Sequence, residues 1–297
     1  MFDLFERVLR NGLRVRDAWR AVFASEPVTG VLSGDENNEV TRVPIVLAKR
    51  RGLPTVSCNH GALNMTLALR KQCSELYFAS GEMEQDYMVG WCGLTPSRVV
   101  LGAPQNGSRS ALLGKARQRD WIVFFSSPYE ISSARTEVFY SEILPELCAL
   151  ASEANRKVVV KLHPFESLQI RKAMIDKAVT AANRGLIELR QGPMSHELLE
   201  RAWFTITVNS SVAVESTMNG VPCFLCAWFD GDWSDYGKQL VKYSAGHPLS
   251  FPREIRRIPE RLDQIKITDA TQRGLHSPIS ADVLDAMLFP SPRPQNG

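Results

Sequence analysis

Short, uninterrupted apolar runs recur along the chain and alternate with stretches of helical periodicity. Because both faces of such a run are apolar, each one predicts a strand buried on both sides, as in a parallel sheet. Strand–helix–strand alternation predicts an α/β fold with right-handed crossovers. The predicted strands cover 28–33, 54–58, 75–80, 98–103, 121–126, 157–162, 186–190, 204–208 and 222–228.

A polar, basic segment without clear periodicity interrupts this alternation after the fourth strand. We therefore predict an N-terminal α/β domain at 1–105, a linker at 106–120, a second α/β domain at 121–288 and a disordered Pro-rich tail at 289–297. Only four strands are expected in the first domain, so either that domain is reduced or the chain is part of a longer protein. A cleft between two such domains is a usual place for a ligand.

Composition narrows the range of partners. The net charge of +3 and the lack of a basic run with interleaved aromatics argue against a nucleic-acid partner. The segment 1–20 predicts an amphipathic helix with a basic side, which we interpret as packing on a sheet, with association with a membrane surface as the alternative. Cys223 and Cys226 form a CxxC without the second pair that a zinc site needs. The scattered thiols indicate a reducing cytoplasm, with the inner face of the cell membrane as an alternative location.

A His-Pro pair follows one of the predicted buried strands, in "KVVVKLHPFES". His163 should therefore lie at the carboxyl edge of the sheet, where open α/β sheets bind ligands, and Pro164 should fix its direction. An imidazole placed there can donate a hydrogen bond to a phosphate oxygen, although a lone His in such a position is often structural.

Small polar residues follow a second strand, in "ITVNSSVAVESTMNG". Asn209, Ser210 and Ser211 stand at a strand end just before a predicted helix, where hydroxyls and free backbone N–H groups can bind an anion. Glu215 falls one turn into that helix and could accept hydrogen bonds from ribose hydroxyls. The alternatives are an ordinary serine N-cap and an acid that serves the helix dipole. Together with His163, these residues predict a nucleotide phosphate site.

This pair of motifs resembles the donor-binding domain of GT-B-fold glycosyltransferases. The resemblance is strongest to the group with a His-Pro motif followed by a Ser-Ser motif: bacterial sialyltransferases, capsule polysaccharide transferases and CDP-glycerol glycerophosphotransferases. It implies that His163, Ser210 and Ser211 contact the phosphate of a cytidine nucleotide. UDP-sugar 2-epimerases share this fold and have a carboxylate that resembles Glu215. In the same fold the loop after the second domain's first strand lies close to the donor, which here is Ser126 and Ser127.

The first half resembles the same fold in "RRGLPTVSCNHGALN". A His-Gly in this position supplies the catalytic base in the glycerophosphotransferases, which implies His60 here, and imidazole suits that task near neutral pH. Asp35 and Glu36 stand at another strand end and resemble the acidic pair of sialyltransferase-like families, although the order of residues differs. Asp35 could instead orient His60 or cap the next helix.

The resemblance implies two Rossmann-like domains and a transferase. The enzyme would move a glycosyl or glycerophosphoryl group from a CMP-, CDP- or UDP-linked donor to a hydroxyl of a surface polysaccharide or glycan. It would need no cofactor and no metal, because backbone N–H groups and imidazole can supply the positive potential. The alternatives are an enzyme similar to UDP-sugar 2-epimerases and a non-catalytic nucleotide-binding or assembly protein of the same fold.

Overall fold

The computed structural model describes residues 2–59, 61–63, 69–102, 119–129, 135–229, 235–279, 281–282 and 285. The chain divides into two compact units. The first comprises Met1–Gln105 together with Arg273–Gly297, and the second comprises Asn106–Gln272.

The first unit contains a four-stranded parallel sheet whose strands follow one another in chain order. These strands are β1 (Val31–Ser33), β2 (Thr55–Cys58), β3 (Leu76–Ala79) and β4 (Val99–Leu101). Its helices are α1 (Phe2–Ser25), α2 (Glu39–Lys49) and α3 (Glu82–Gly90), with a 3₁₀ turn at Pro96–Arg98.

Helix α2 shows how the sequence sets the local structure of this unit. The Asn38 side chain caps its start by accepting hydrogen bonds from the N–H groups of Val40 and Thr41. Gly52 follows its end with a φ of +68°, which a residue with a side chain adopts only at a cost. Helix α1 packs against α2, and no helix in the described part of the chain is long and apolar enough to cross a membrane.

The second unit contains a six-stranded parallel sheet in the order β10-β9-β8-β5-β6-β7. Its strands are β5 (Trp121–Phe125), β6 (Lys157–Lys161), β7 (Ile187–Arg190), β8 (Ala202–Thr207), β9 (Cys223–Cys226) and β10 (His247–Leu249). The helices are α4 (Thr136–Glu153), α5 (Leu168–Ala178), α6 (His196–Arg201), α7 (Val212–Met218), α8 (Asp235–Lys242) and α9 (Ile258–Leu262), with 3₁₀ turns at Ala181–Leu186 and Pro252–Arg257. Helix α10 (Asp269–Leu275) begins in this unit and ends in the first, which the chain rejoins at Arg273.

The core of this unit lies between the sheet and α4. The Phe124 ring on β5 meets the rings of Phe139 and Tyr140 edge to face, at centroid distances of 6.0 and 5.8 Å. All three side chains are fully buried. Burial of this kind is the main stabilising contribution of an apolar core, at about 25 cal/mol per Å² of apolar surface. It also makes β5 a rigid support for the loop that follows it.

The predicted α/β class with parallel sheets is confirmed, and each of the nine predicted strands is present. The sequence did not reveal β10, because "HPL" is short and contains Pro. The predicted extent of the second domain differs from the structure, which returns the chain to the first unit from Arg273. The physical reason is close backbone contact: Ser277 N donates to Ser80 O at 2.7 Å, and the segment around Leu275 lies directly against Gly81.

Candidate functional site

Three neighbouring strands of the six-stranded sheet end in the polar segments that the sequence singles out. Strands β8, β5 and β6 lie side by side, and all are parallel. Ser126 and Ser127 follow β5, His163 follows β6, and the Asn-Ser-Ser segment 209–211 follows β8. From β5 the chain continues to β6 and β7 on one side of β5 in the sheet, and it then crosses to β8 on the opposite side of β5. The carboxyl ends of β5 and β8 therefore flank a topological switch point, where open α/β sheets bind ligands.

A buried carboxylate connects two of these strand ends. The Glu166 side chain is fully buried, and its Oε1 accepts hydrogen bonds from Ser126 Oγ at 2.7 Å and Arg171 Nε at 2.5 Å. Its Oε2 accepts a hydrogen bond from the backbone N–H of His163 at 2.6 Å. Glu166 thus holds the loop after β5 and the loop after β6 in one arrangement.

Further contacts make this arrangement rigid. The Arg171 guanidinium is buried and lies over the Tyr140 ring, 5.5 Å from its centroid. The Tyr140 hydroxyl is 2.7 Å from Ser126 Oγ. Lys161 is also buried, and its Nζ donates to the carbonyl oxygens of Leu162 at 2.8 Å and Gly192 at 2.7 Å. Burial lowers the pKa of the Lys161 ammonium, and the charge of Glu166 opposes that shift.

His163 is held so that one ring nitrogen is available as a donor. The backbone N–H of Phe165 donates to His163 Nδ1 at 3.2 Å. In the neutral ring the proton then sits on Nε2, which has no partner within the described part of the chain. The His163 side chain is half-buried, whereas Pro164 and Phe165 are exposed. The strand end therefore presents an imidazole N–H donor, as a phosphate contact requires.

The serines after β8 are engaged to different degrees. The Val212 N–H donates to Ser210 Oγ across a long 3.4 Å. Ser211 stands at the N-cap of α7, but its hydroxyl makes no capping hydrogen bond and has no partner among the described residues. Ser211 is therefore not an ordinary side-chain N-cap. Asn209, which precedes these serines in the chain, is half-buried.

Glu215 is an exposed carboxylate without a hydrogen bond or an ion pair to the described residues. Partial desolvation of the carboxyl by the surrounding protein nevertheless raises its pKa above the ordinary value of 4.5. A carboxylate that is partly desolvated and has no partner can accept hydrogen bonds from a ligand.

Ser126 and Ser127 differ in what they can offer a ligand. The Ser126 hydroxyl is buried and committed to Glu166 and Tyr140, so it supports the loop and is not free to bind a phosphate. The contact of Ser126 with the donor stays a prediction, against which these two hydrogen bonds weigh. The Ser127 hydroxyl has no partner within the described residues.

The first unit places the predicted acids after β1, with distinct contacts. Asp35 Oδ1 accepts hydrogen bonds from Asn37 N at 2.9 Å and Thr41 Oγ1 at 2.8 Å, which ties the loop to the start of α2. Glu36 is buried, and its carboxylate accepts hydrogen bonds from the N–H groups of Cys73 and Ser74. These contacts give Glu36 a structural role, and its catalytic role stays a prediction. His60 lies outside the described residues.

No group of three or more His, Cys, Asp or Glu side chains within the described ranges is arranged to hold a metal ion. Cys223 and Cys226 are free and buried, and desolvation raises the pKa of the Cys223 thiol to about 12. The CxxC is thus a pair of protonated core residues.

Comparison with known proteins bears on the fold. No family model matches the chain, and no curated protein matches its sequence. The chain is nonetheless similar to solved α/β structures of the GT-B type, and the predicted pair of Rossmann-like units is confirmed. The similar structures include glycosyltransferases and UDP-GlcNAc 2-epimerases.

Three of these structures illustrate the likeness. S. aureus MnaA, solved with UDP, has a TM-score of 0.60 and 13% identity over 90% of this chain and 76% of its own. The UDP-GlcNAc 2-epimerase of Methanocaldococcus jannaschii, in complex with UDP-GlcNAc and UDP, has a TM-score of 0.58 and 11% identity over 87% and 77%. CalG4, the calicheamicin glycosyltransferase, has a TM-score of 0.58 and 15% identity over 98% and 81%. At such identities the likeness establishes the fold.

Sequence reasoning missed the residues that hold the site together. Lys161 and Glu166 lie inside the quoted segment around His163, and Arg171 lies four residues beyond it, but none of the three was assigned a role from the sequence. Glu166 stands three residues after His163, and this His-x-x-Glu spacing at a strand end was the available signal. Its strength depends on burial, which the sequence does not reveal.

Proposed function

We propose that the chain is a transferase that uses a nucleotide-activated donor and binds the donor at the carboxyl edge of its six-stranded sheet. The observation that carries the proposal is the meeting of three polar strand ends, after β8, β5 and β6, at a topological switch point. Switch points of parallel sheets are where nucleotides bind in related architectures.

The phosphate contacts follow from the available donors. His163 Nε2 carries a proton that no described residue accepts, and the Ser211 hydroxyl has no partner. Ser210, Asn209 and Ser127 lie on the neighbouring strand ends. Donors fixed in this way stabilise the negative charge that develops on the leaving phosphate without needing to reorganise. Pro164 and the buried Glu166 restrict the movement of the His163 loop.

For the nucleoside, we propose that Glu215 accepts hydrogen bonds from the ribose hydroxyls. The absence of a partner among the described residues and the raised pKa of its carboxyl support this role. The resemblance of the His-Pro and Ser-Ser motifs favours a cytidine nucleotide. The likeness to structures that hold UDP makes uridine the alternative, which the experiment below distinguishes.

We propose His60 as the base that deprotonates the acceptor hydroxyl, with Asp35 assisting. Asp35 follows β1, and the segment that leads to His60 follows the adjacent strand β2. The acceptor would be a hydroxyl of a glycan or surface polysaccharide, and the transferred group glycosyl or glycerophosphoryl. Capsule assembly on the inner face of the cell membrane is a setting consistent with this chemistry.

A second candidate function is epimerisation of a UDP-sugar. The fold is shared with UDP-GlcNAc 2-epimerases, and Glu215 is a carboxylate without a described partner, as that chemistry needs. Transfer is preferred because epimerisation needs several acids around the sugar, and the Glu36 carboxylate already accepts hydrogen bonds from two backbone N–H groups. A non-catalytic nucleotide-binding protein would show binding without turnover.

The test is a thermal-shift series with CMP, CDP, UDP and UDP-GlcNAc. A ligand at about 100 times its Kd adds about 2.7 kcal/mol of stability, which for a unit of this size is a rise in Tm of about 5–10 °C. We expect a cytidine nucleotide to give the largest rise. Loss of one charge-assisted hydrogen bond in His163→Ala should weaken binding about 10- to 100-fold.

The exposed His196 on α6 provides the matched control, and His196→Ala should bind as the wild type does. A larger response to UDP with turnover of UDP-GlcNAc would replace transfer by epimerisation. Absence of a response to any nucleotide would contradict the proposed function.

A further inference from the structure

A second concave site lies at the opposite edge of the six-stranded sheet. It is a cavity of about 470 Å³ lined mainly by residues at or just before the start of β5 and β6, among them Asp120, Trp121 and Lys157. Arg190, the last residue of β7, and Arg201, the last residue of α6, also line it. The candidate nucleotide site is at the carboxyl ends of β5, β6 and β8, so the two sites share strands but occupy opposite ends of them. The size is within the range of about 300–1,000 Å³ that small-molecule sites occupy.

The charge of this cavity is unbalanced. Its lining contains four basic side chains and two acidic ones, which gives a net charge of +2. The basic residues are Arg156, Lys157, Arg190 and Arg201, and the acidic residues are Asp120 and Glu188. A concave surface with an excess of one sign concentrates ligands of the other sign.

Two of the arginines are neutralised and form a fixed wall. Arg201 Nε donates to Asp120 Oδ1 at 3.0 Å, and Arg190 Nε donates to Glu188 Oε1 at 2.5 Å. Their guanidinium groups stack on the Trp121 ring at 3.9 and 4.3 Å from its centroid. Both acids of the lining are consumed by these two pairs.

The other two basic residues form no salt bridge with a described residue, although the charge of Asp120 acts on Arg156. Arg156 donates to the Arg119 carbonyl and stacks on the Trp203 ring at 4.0 Å, but its buried Nε has no hydrogen-bond partner. Burial lowers the pKa of Arg156, and the charge of Asp120 opposes that shift. Lys157 Nζ has no ion pair to any residue that the structure describes. An external anion could satisfy the buried Nε of Arg156 and pair with the exposed ammonium of Lys157.

We propose that this cavity binds a small phosphate monoester through Arg156 and Lys157. A guanidinium and an ammonium side by side suit the dianionic phosphate better than a single carboxylate. The Trp121 ring is buried and already stacked by the guanidinium groups of Arg190 and Arg201, so it is not an open stacking platform for a nucleobase. The chemistry therefore points to a phosphorylated sugar or a similar small metabolite rather than to a nucleotide.

Isothermal titration of the full chain with glucose 1-phosphate tests the proposal, with glucose as the uncharged control. We expect saturable binding of the phosphate ester and none of glucose. Loss of one charge-assisted contact in Lys157→Gln should weaken binding about tenfold or more. Lys157 is exposed, so this variant should fold, and Arg156→Gln is the second variant.

Two further variants separate this site from the candidate nucleotide site. Lys172→Gln removes an exposed lysine of α5 that does not line the cavity and should bind as the wild type does. His163→Ala should also retain binding, whatever its effect on nucleotides. Absence of binding, equal binding by Lys157→Gln, Arg156→Gln and wild type, or loss of binding in His163→Ala would each overturn the proposal.

Discussion

Replacing Glu166 by Gln should destabilise the second unit strongly, because the carboxylate is at the centre of the loops that carry the candidate site. Glu166 and Arg171 are 0% and 2% exposed, with Nε and Oε1 2.5 Å apart. The amide of Gln keeps one oxygen acceptor but loses the charge. The Arg171 guanidinium would then remain buried without the charge of Glu166, and the amide oxygen could not serve both Ser126 Oγ and the His163 N–H.

The magnitude follows from the burial of this pair. Removing one member of a buried ion pair typically costs about 3–5 kcal/mol, because the other charge is left uncompensated. The retained amide oxygen and local relaxation place Glu166→Gln at about 3 kcal/mol. A domain of ordinary stability, about 5–15 kcal/mol, would stay folded but with a much lower urea midpoint.

Urea unfolding followed by circular dichroism measures the change. Glu137→Gln is the matched control, because Glu137 pairs with Lys177 at 2.9 Å while both side chains are exposed, and such pairs contribute about 0–1 kcal/mol. Arg171→Met combined with Glu166→Gln should recover part of the loss, since both charges of the pair are then removed together. A loss below about 1 kcal/mol in Glu166→Gln would refute the reasoning that the buried pair organises these loops.

Three further expectations concern other residues. Because the pKa of Glu215 is raised above 4.5, its carboxylate becomes protonated as the pH falls through that raised value, and the wild type should then bind the nucleotide more weakly relative to Glu215→Gln. Parallel pH profiles of the two proteins in a binding titration would argue against the ribose role. Burial, and to a lesser degree Arg261, lowers the pKa of His247 to about 4, whereas the imidazole of the unfolded chain takes up its proton near pH 6.5. The free energy of unfolding, measured by acid titration, should therefore fall by about 2–3 kcal/mol as the pH is lowered from 6.5 to 4. His247→Gln should reduce that dependence, and an unchanged slope would contradict the assignment. A Cβ at Gly81 would lie 2.4 Å from the Leu275 carbonyl carbon, so Gly81→Ala should cost about 1–3 kcal/mol and increase hydrogen exchange at 273–279, whereas Gly90→Ala, with open space, should not.

The sequence predicted the strands well because parallel strands buried on both faces are continuous apolar runs. "WIVFF" and "KVVVK" carry this signal in every position or nearly so, and both became central strands. Strand β10 carries "HPL", in which His247 and Pro248 are poor strand formers, and its place was determined by pairing with β9. The return of the chain to the first unit depends on backbone contact at Gly81 and Gly102, where a Cβ would meet Leu275 and Ile279 at 2.4 and 2.9 Å. A sequence does not reveal close approach between distant segments.

The sequence located the strand ends that form the candidate site, but not the residues that support them. His163, Ser210 and Ser211 stand at strand ends, which the alternation of runs locates directly. Glu36 and Ser126 looked similar in the sequence, but their side chains turn inward and bond to protein groups. The direction of a side chain at a strand end depends on tertiary packing. For this reason a polar residue in the right place could not be assigned to ligand or scaffold beforehand.

The most direct measurement of the central claim is a crystal structure of the chain with CMP. The account predicts the phosphate within hydrogen-bonding distance of His163 Nε2 and the hydroxyls of Ser210 and Ser211, with the ribose towards Glu215. A phosphate bound away from these strand ends, for example in the cavity beside Trp121, would contradict the account.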